Sequence, residues 1–318
     1  MKRIAVLTSG GDAPGMNACI RAVVRTCISK NIEPYIVYDG YKGLVEGRIQ
    51  KVGRRFVSEV LNRGGTIIGT ARLNEFDKKE VRLKAINNLK KHNIDGLVVI
   101  GGDGTIRGAN ELYKEGVRCV AVAATIDNDI NTKGYTIGFD TALNTITSLL
   151  DKIRDTSSSH NRCSIVEVMG RDCGDLALYS GIACGADIII TKEKKYDREV
   201  LYKEIRKMKE EGRRHVLIVT SENILNVEEL AKDIQRETGF ETRSSIFGHL
   251  QRGGVPSAMD RVNGSLLGGE SVNKLINGEY GKMVYLLEQN LKAAPFEDVT
   301  KEKSIDIKYM YEHNAKVG

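Results

Sequence analysis

The chain has 318 residues, of which 41% are hydrophobic and 28% are charged, a composition typical of a globular protein with one or two domains. Its formal net charge is +6, and the basic residues are scattered without an aromatic-interleaved basic stretch, so the sequence favours an anionic small molecule over nucleic acid as the partner. No apolar run approaches the roughly 18 residues of a membrane span and no secretory signal fits the start, so we expect a cytoplasmic protein that binds neither nucleic acid nor membrane.

The six cysteines form no CxxC pair and mostly lie in apolar runs. Cysteines in such positions are typical of small core residues in a reducing compartment rather than of metal or redox sites. They are Cys19, Cys27, Cys119, Cys163, Cys173 and Cys184.

The first predicted strand, Ile4 to Leu7, is followed by the glycine-rich stretch TSGGDAPG and by a helix over Met16 to Ser29. A glycine-rich turn between a strand and a helix lets backbone N–H groups approach phosphate oxygens. The spacing is not GxGxxG, so the signal for a dinucleotide site is weak. A second strand, Glu33 to Tyr38, leads into a predicted turn-rich loop over residues 39–44.

An amphipathic helix over Lys78 to His92 precedes two short apolar runs, Leu97 to Ile100 and Cys119 to Val122. Both runs are rich in β-branched residues and are predicted to be buried parallel strands. The first is followed by a Gly-Gly-Asp-Gly loop that has almost no side chain except the carboxylate of Asp103. Such a loop, placed before a helix, is a second candidate phosphate cradle.

The second of these strands is followed by Thr125, Asp127 and Asp129, which offer one hydroxyl and two carboxylates. In an open α/β sheet, ligands bind at the carboxyl ends of the strands, so the two clusters should meet there. Each cluster alone also fits a structural turn, since GGDG often forms a strand-to-helix turn and TIDND can cap one. Together they favour a site for phosphoryl transfer, with a cradle, a magnesium carboxylate and a candidate base.

Strands alternate with helices over most of the remaining chain, which indicates parallel sheets with helices on both faces. We predict a hairpin over Ile130 to Ile137 and a helix over Asp140 to Thr156 that should end in the hydroxyl-rich segment 155–162. The strands are too many for one sheet. The sequence therefore predicts two similar α/β layers, with a break near residues 138–140.

A later segment, RSSIFGHLQRGGVPSAMDR, places Arg243, His249 and Arg252 around a pair of glycines. Three such donors suit a phosphate or a sugar better than a core, because buried unpaired charge is expensive. His249 alone would also fit a structural histidine.

Six motifs in order, from residue 1 to about residue 290, resemble those of the bacterial-type 6-phosphofructokinase family. They read LTSGGDAPGMN, GGDGT, TIDND, RDTSSSHNR, MGRDCGD and GHLQRGG. The resemblance implies an α/β fold of two similar Rossmann-like three-layer domains with mainly parallel sheets and an active site in the cleft between them. It implies an ATP-binding domain of residues 1–138 plus about 251–300, and a fructose 6-phosphate-binding domain of residues 139–250 plus about 301–318.

The activity that the resemblance implies is transfer of a phosphoryl group from ATP to the 1-hydroxyl of fructose 6-phosphate, the committed step of glycolysis, with Mg²⁺ as cofactor. It implies that Asp127 takes the proton from the hydroxyl, that Arg72 touches the transferring phosphoryl group and that Asp103 holds magnesium. The other residues of the implied catalytic set are Thr125, Asp129 and Arg171.

The resemblance also implies two sets of binding residues. Those for ATP are Gly11, Arg72, Leu73, Gly102, Asp103, Gly104, Thr105 and Gly108. Those for the sugar phosphate are Thr125, Ile126, Asp127, Arg162, Met169, Gly170, Arg171, Glu222, Arg243, His249, Leu250, Gln251 and Arg252. Among them, Arg162 and Arg243 match residues that reach the 6-phosphate from a neighbouring subunit, which implies a homotetramer with shared substrate sites.

Two small residues bear on the phosphoryl donor. Gly104 and Ala124 leave space for the α-phosphate and nucleoside, whereas pyrophosphate-using relatives typically carry Asp and Lys at these positions. ATP is therefore the expected donor. Relatives usually have Pro-Gly where this chain has Ala123-Ala124, and we expect this departure to tune phosphate binding rather than to change the donor.

The family's effector site, for ADP or phosphoenolpyruvate, uses arginines that this chain retains. However, Asp187 stands where a longer glutamate is common, and Glu211 stands where a lysine is common. Reversing a charge beside a bound phosphate should cost on the order of 1 kcal/mol or more, so we expect weakened or absent allosteric control. The implied effector residues are Arg21, Arg25, Arg54, Arg154, Gly185, Asp187, Glu211 and Arg213.

Three other interpretations stay open at this point. A pyrophosphate-dependent phosphotransferase is disfavoured by Gly104. A GGDGT kinase of the NAD or lipid type would not be expected to carry GHLQRGG or RDTSSSHNR. A non-catalytic regulatory subunit on the same fold should have lost Asp103 or Asp127, and both are present.

Overall fold

The computed structural model describes residues 1–132, 134–194, 196–301 and 308–317, and its contacts divide the chain into two compact units. The first unit comprises Met1–Ile126, Ile130–Thr141 and residues 252–301. The second comprises Asp127–Asp129, Ala142–Gln251 and residues 308–317. The sequence-based division placed residues 127–129 and 251 in the first domain and residues 139–141 and 301 in the second, whereas the structure groups each of them with the other unit. Residues 302–307 and 318 of the predicted second domain lie outside the described residues.

The strands and helices of this part of the chain alternate over most of its length. The strands are β1 (Arg3–Ser9), β2 (Glu33–Val37), β3 (Ile49–Lys51), β4 (Gly96–Gly101), β5 (Cys119–Thr125), β6 (Ile137–Gly138), β7 (Cys163–Val168), β8 (Ile188–Ile190), β9 (Val216–Ser221), β10 (Thr242–Ile246), β11 (Lys282–Leu287) and β12 (Asn290–Pro295). The helices are α1 (Met16–Ser29), α2 (Gly40–Glu46), α3 (Lys79–Lys91), α4 (Asp103–Lys114), α5 (Phe139–His160), α6 (Asp175–Ala183), α7 (Arg198–Glu210), α8 (Val227–Thr238), α9 (Ala258–Ile276), α10 (Phe296–Val299) and α11 (Lys308–Val317). Within the described ranges, none of these helices combines the length and apolarity that crossing a bilayer demands.

Each unit is built on its own sheet, as the alternation of strands and helices predicts. In the first unit the strand order is β12-β11-β5-β4-β1-β2-β3, with β6 paired to β5. The pairings are parallel except for the edge pairs β2–β3 and β11–β12. In the second unit the order is β10-β7-β9-β8, and all of these pairings are parallel. The prediction of an α/β fold with mainly parallel sheets is confirmed.

The central strands of both sheets are apolar because helices cover them. In the first unit, Leu7 and Val99 of neighbouring strands are fully buried together with Ile106 of α4. In the second unit, Ile165 and Ile218 of neighbouring strands are fully buried together with Ile205 of α7 and Ile234 of α8. Burying such a side chain contributes roughly 1.5–3 kcal/mol, so these clusters hold the strand ends in place.

Three local predictions were wrong. Helix α2 replaces the predicted loop over residues 39–44, and α5 runs on to His160 instead of ending near Thr156. In the described residues of the predicted hairpin, 130–132 and 134–137, only Ile137 enters a strand, and that strand pairs with β5 in parallel.

The predicted core role of the cysteines can be tested chemically. All six are buried free thiols, and burial raises the pKa of Cys27 to about 12 and that of Cys184 to about 11. Because the thiolate is the reactive form, we expect the native protein to react with less than one equivalent of dithionitrobenzoate in mildly alkaline buffer. The guanidinium-unfolded chain should release six equivalents. Rapid reaction of the native protein would contradict this burial.

Candidate active site

The two glycine-rich loops of the first unit begin side by side, because they follow adjacent strands. β1 and β4 are paired in parallel, with Ser9 opposite Gly101. The Thr105 hydroxyl at the start of α4 donates to the Ser9 carbonyl at 2.9 Å. A Cβ added at Gly101 would lie 2.5 Å from that carbonyl oxygen, closer than any real side chain permits. The tight approach therefore requires glycine, and it brings both predicted phosphate cradles together.

The second loop opens directly into the N-terminus of α4, which begins at Asp103 after Gly102. Unpaired amides and the helix dipole make such a terminus attractive to phosphate. No atom lies within 4 Å of a Cβ added at Gly104, so open space adjoins the loop there. The Asp103 carboxylate accepts hydrogen bonds from Arg107 Nε at 3.0 and 2.9 Å.

Two arginines flank the first loop. The Thr70 hydroxyl donates to the Gly10 carbonyl at 2.9 Å, which ties the segment leading to the exposed Arg72 against this loop. In the same loop, the Asp12 carbonyl accepts from Arg252 Nη1 at 3.4 Å. The resemblance groups Arg252 with the sugar phosphate, and in the structure its guanidinium lies against the first loop, beside Gly11.

Sequence reasoning missed a pair of aromatic residues behind the second loop. The Tyr41 hydroxyl donates to the Thr105 carbonyl at 2.6 Å, and its ring stacks on Phe76 with centroids 4.0 Å apart. Phe76 belongs to a short 3₁₀ helix that starts directly after Leu73. A Cβ added at Gly108 would lie 2.7 Å from the Tyr41 ring. A glycine in the middle of a predicted helix was the one sequence signal for this close contact.

Thr125 and Ile126, at the end of β5, are almost completely buried. The turn that follows belongs to the second unit and carries both predicted carboxylates. Asp127 is 5% exposed. Asn128, at the positive φ of 52°, donates to Asp175 Oδ2 at 2.7 Å, and this bond fixes the turn.

Arg171 faces this turn. Its Nη1 lies 3.6 Å from Asp129 Oδ2, and its backbone N–H donates to Glu222 Oε1 at 2.8 Å. Gly170 and Arg171 both have positive φ, and a Cβ at Gly170 would lie 2.4 Å from the Cys173 carbonyl oxygen. The structure thus brings together Asp129, Arg171 and Glu222, which the resemblance assigned to one site.

The segment before Arg171 is held by a buried amide. The Met169 N–H donates to Gln251 Oε1 at 3.0 Å, and Gln251 in turn donates to the Gly248 carbonyl at 3.0 Å. Gln251 is fully buried, whereas its neighbours His249 and Leu250 are exposed. Gln251 therefore positions backbone, and the exposed His249 is available to a ligand.

Arg162 and Arg243 converge on one carboxylate. Their guanidinium groups lie 2.9 and 2.8 Å from Glu241 Oε1, and the hydrogen bond from Arg162 lowers the pKa of Glu241. Two cations beside one carboxylate leave an excess positive charge at this edge of the second unit, which suits a phosphate.

The implied effector residues are divided between the two units. In the first unit, burial and the charges of Arg25 and Arg54 lower the pKa of Arg21. In the second, the Arg154 guanidinium lies 3.7 Å from a Cβ added at Gly185.

The two residues that depart from the family pattern at this site have partners in the second unit. The buried Asp187 carboxylate accepts from the Leu217 N–H at 2.8 Å and pairs with Arg213 at 3.1 Å. Glu211 pairs with Lys207 at 3.7 Å.

A magnesium ion could be held in the first unit by Asp103. The described ranges contain no cluster of three or more carboxylate, histidine or cysteine groups that could bind a metal unaided. Magnesium in phosphoryl-transfer sites is usually bound by one or two carboxylates together with substrate phosphates and water. A single carboxylate at the mouth of a phosphate cradle fits that requirement.

The fold and these groups are those of an α/β protein suited to binding phosphorylated ligands. A family model described as phosphofructokinase matches residues 3–275. The chain is 53% identical to ATP-dependent 6-phosphofructokinase of Vibrio campbellii over 92% of its length and 91% of the relative's. It is 51% identical to that of Macrococcus caseolyticus over 98% of both chains. The chain belongs to the phosphofructokinase family.

A solved structure of phosphofructokinase from Saccharomyces cerevisiae superposes with a TM-score of 0.86 and 37% sequence identity. The alignment covers 99% of this chain and 47% of the yeast chain, so this chain spans about half the length of that protein.

The close approach of the two loops predicts unequal effects of the same substitution at Gly101 and Gly104. Gly101→Ala should lower the free energy of unfolding by about 1–3 kcal/mol, because its methyl group meets backbone. Gly104→Ala, which meets no atom within 4 Å, should change it by less than about 0.5 kcal/mol. Urea unfolding of both variants measures the difference, and equal stabilities would contradict the described geometry.

Proposed function

We propose that the protein catalyses the ATP-dependent phosphorylation of fructose 6-phosphate at its 1-hydroxyl, giving fructose 1,6-bisphosphate and ADP. The observation that carries the proposal is the fixed Asp127–Asp129 turn, which follows directly on β5, the neighbour of the strand that ends in the GGDGT cradle. Family membership and the names of the relatives support the same reaction. The reaction is the committed step of glycolysis, and we place it in the cytoplasm.

On the donor side, the backbone of Gly11 and of residues 102–105 binds the ATP phosphates, and Leu73 and Gly108 complete the ATP site. Arg72 neutralises charge on the transferring phosphoryl group, and Asp103, whose carboxylate accepts from Arg107 Nε, would hold magnesium. The bound Mg²⁺ supplies charge neutralisation on the phosphate oxygens. Phosphoryl transfer passes through a loose transition state, so positioning and positive charge provide most of the catalysis.

On the acceptor side, Asp127 accepts the proton of the sugar 1-hydroxyl. The 1-oxygen forms a bond to the γ-phosphorus while the bond between that phosphorus and the bridging oxygen breaks, and ADP leaves with the electron pair. Asp129 orients Arg171 towards the acceptor, and Thr125 and Ile126 hold the start of the turn. The remaining residues of the sugar-phosphate site are Met169, Gly170, Glu222, His249, Leu250 and Arg252, together with Gln251, which positions the Met169 backbone.

The proposed assembly is a homotetramer in which Arg162 and Arg243 bind the 6-phosphate of a neighbouring subunit's substrate. Their joint position on the half-buried Glu241 supports this role, because a phosphate dianion can replace the single carboxylate. Exposed Ile246 and Leu250 lie close to them in the sequence, and burying these side chains would favour association. The monomer should therefore be nearly inactive.

The donor test compares ATP with pyrophosphate. With magnesium and fructose 6-phosphate, we expect ATP to support turnover at least about 100-fold faster than pyrophosphate, since the open space at Gly104 suits a nucleotide. Release of fructose 1,6-bisphosphate, measured by a coupled assay, reports both reactions, and chelation of magnesium should abolish turnover. Turnover with pyrophosphate alone would contradict the proposed donor, and none with either donor in folded tetramer would favour a regulatory subunit.

Allosteric control should be weak. Asp187 is engaged by the Leu217 N–H and by Arg213, so its short carboxylate has little freedom to reach an effector's magnesium. We expect saturation curves for fructose 6-phosphate to stay nearly hyperbolic, and to change less than about twofold with ADP or phosphoenolpyruvate. Strong inhibition by phosphoenolpyruvate that ADP relieves would contradict this expectation.

A further inference from the structure

The carboxyl ends of three neighbouring strands of the second unit surround a cavity of about 460 Å³. β7, β9 and β8 are adjacent and parallel, and the cavity is lined by residues that follow them: 171–173, then 191, 192, 194 and 196, and then 221–224. Ligands of parallel α/β sheets bind at this edge. The volume lies within the roughly 300–1,000 Å³ of small-molecule pockets.

This cavity extends beyond the proposed sugar site. Arg171 and Glu222 line it, whereas Asp127, Met169 and His249 are not among its described lining residues. Arg171 and Glu222, joined by the bond from the Arg171 N–H, therefore belong both to the proposed sugar-phosphate site and to the cavity lining. The far side is built from the segment after β8, to which the proposed reaction assigns no role.

Positive charge predominates in the cavity wall. Arg171, Lys192 and Lys194 face two carboxylates, those of Asp172 and Glu222. Lys192 Nζ lies 3.2 Å from Asp172 Oδ1. Lys194 Nζ lies 4.8 Å from the ring centroid of Tyr311 in α11. The described lining residues thus carry one more cation than anions, which favours an anionic group in the cavity.

Two buried hydroxyl groups in the lining have no hydrogen-bond partner in the described part of the chain. Ser221 is 3% exposed and its Oγ is unpaired, and the Tyr196 hydroxyl is buried and unpaired as well. Burial raises the pKa of the Tyr196 phenol, which therefore stays a neutral donor. Because buried polar groups are nearly always paired, two unpaired hydroxyls in one basic cavity point to a ligand that supplies the acceptors.

We propose that this cavity is a second anion site, which binds a phosphorylated small molecule through Lys192, Lys194 and the Ser221 hydroxyl. The site is separate from that of the substrate, because Lys192 and Lys194 follow β8, and the segment after β8 carries none of the groups proposed to bind the sugar phosphate. If the proposed function holds, an occupant changes the affinity for fructose 6-phosphate, since Arg171 and Glu222 border both sites.

The test uses inorganic phosphate as the probe and the purified full-length chain. Equilibrium dialysis with radiolabelled phosphate gives the number and affinity of sites per chain. We expect the Lys192→Gln/Lys194→Gln double variant to bind at one site at least about tenfold more weakly, the loss of about 1.4 kcal/mol. Lys203→Gln, which removes an exposed lysine on α7, should match the unchanged protein. Unchanged phosphate binding in the double variant would overturn the proposal.

Because Lys194 contacts Tyr311 of α11, its substitution could weaken binding indirectly by destabilising α11. A second variant therefore tests the site without changing Lys194. Ser221→Ala removes one unpaired hydroxyl, so the phosphate-free variant should melt at the same or a higher temperature, yet gain less from added phosphate than the unchanged protein. A strong loss of stability without phosphate would show that the hydroxyl is structural and would overturn the assignment. Failure of the proposed function would be seen separately, because the unchanged protein would then show no turnover, whether or not it binds phosphate at this site.

Discussion

The close approach of β4 to β1 is the constraint on which the phosphate-binding half of the protein depends. At Gly101 the strands are so close that a single methyl group would clash with the Ser9 carbonyl oxygen. The Thr105 hydroxyl donates a hydrogen bond to the same oxygen. The first turn of α4 is thereby fixed to β1, and Tyr41 braces it from behind. Both glycine-rich loops consequently leave the sheet at one edge, where backbone amides and a helix dipole can meet phosphate oxygens without rearrangement.

In the second unit, functional groups also lie at the carboxyl ends of the strands, but they are side chains instead of backbone amides. Asn128 and Arg171 both adopt positive φ, a conformation that costs of order 1–3 kcal/mol for a residue other than glycine. Each is held there by a carboxylate: Asp175 accepts from the Asn128 side chain, and Glu222 accepts from the Arg171 N–H. Such strain is often found at functional sites, and here it lies in the two segments that carry Asp129 and Arg171, whose charged atoms are 3.6 Å apart.

The motif spacing predicted the two cradles and the alternation of strands and helices, because these depend on residues close together in the sequence. Motif spacing could not predict contacts between distant segments. Arg252 lies against Gly11 because the chain returns to the first unit at Arg252. The end of α5 at His160 was missed for a local reason. Hydroxyl-rich sequence usually disfavours helix. Here the Ser157 hydroxyl donates to the Ile153 carbonyl one turn earlier, so this hydroxyl is hydrogen-bonded within the helix.

The most direct test of the proposed mechanism is the kinetics of Asp127→Asn with ATP, magnesium and fructose 6-phosphate. Loss of the proton acceptor should lower kcat about 10²–10⁴-fold while the KM for the sugar phosphate changes little. Asp155→Asn, on the exposed face of α5, should keep the activity of the unchanged protein. If Asp127→Asn, folded to the same melting temperature, retains its rate within a few-fold, Asp127 is not the base and the account of this turn is wrong.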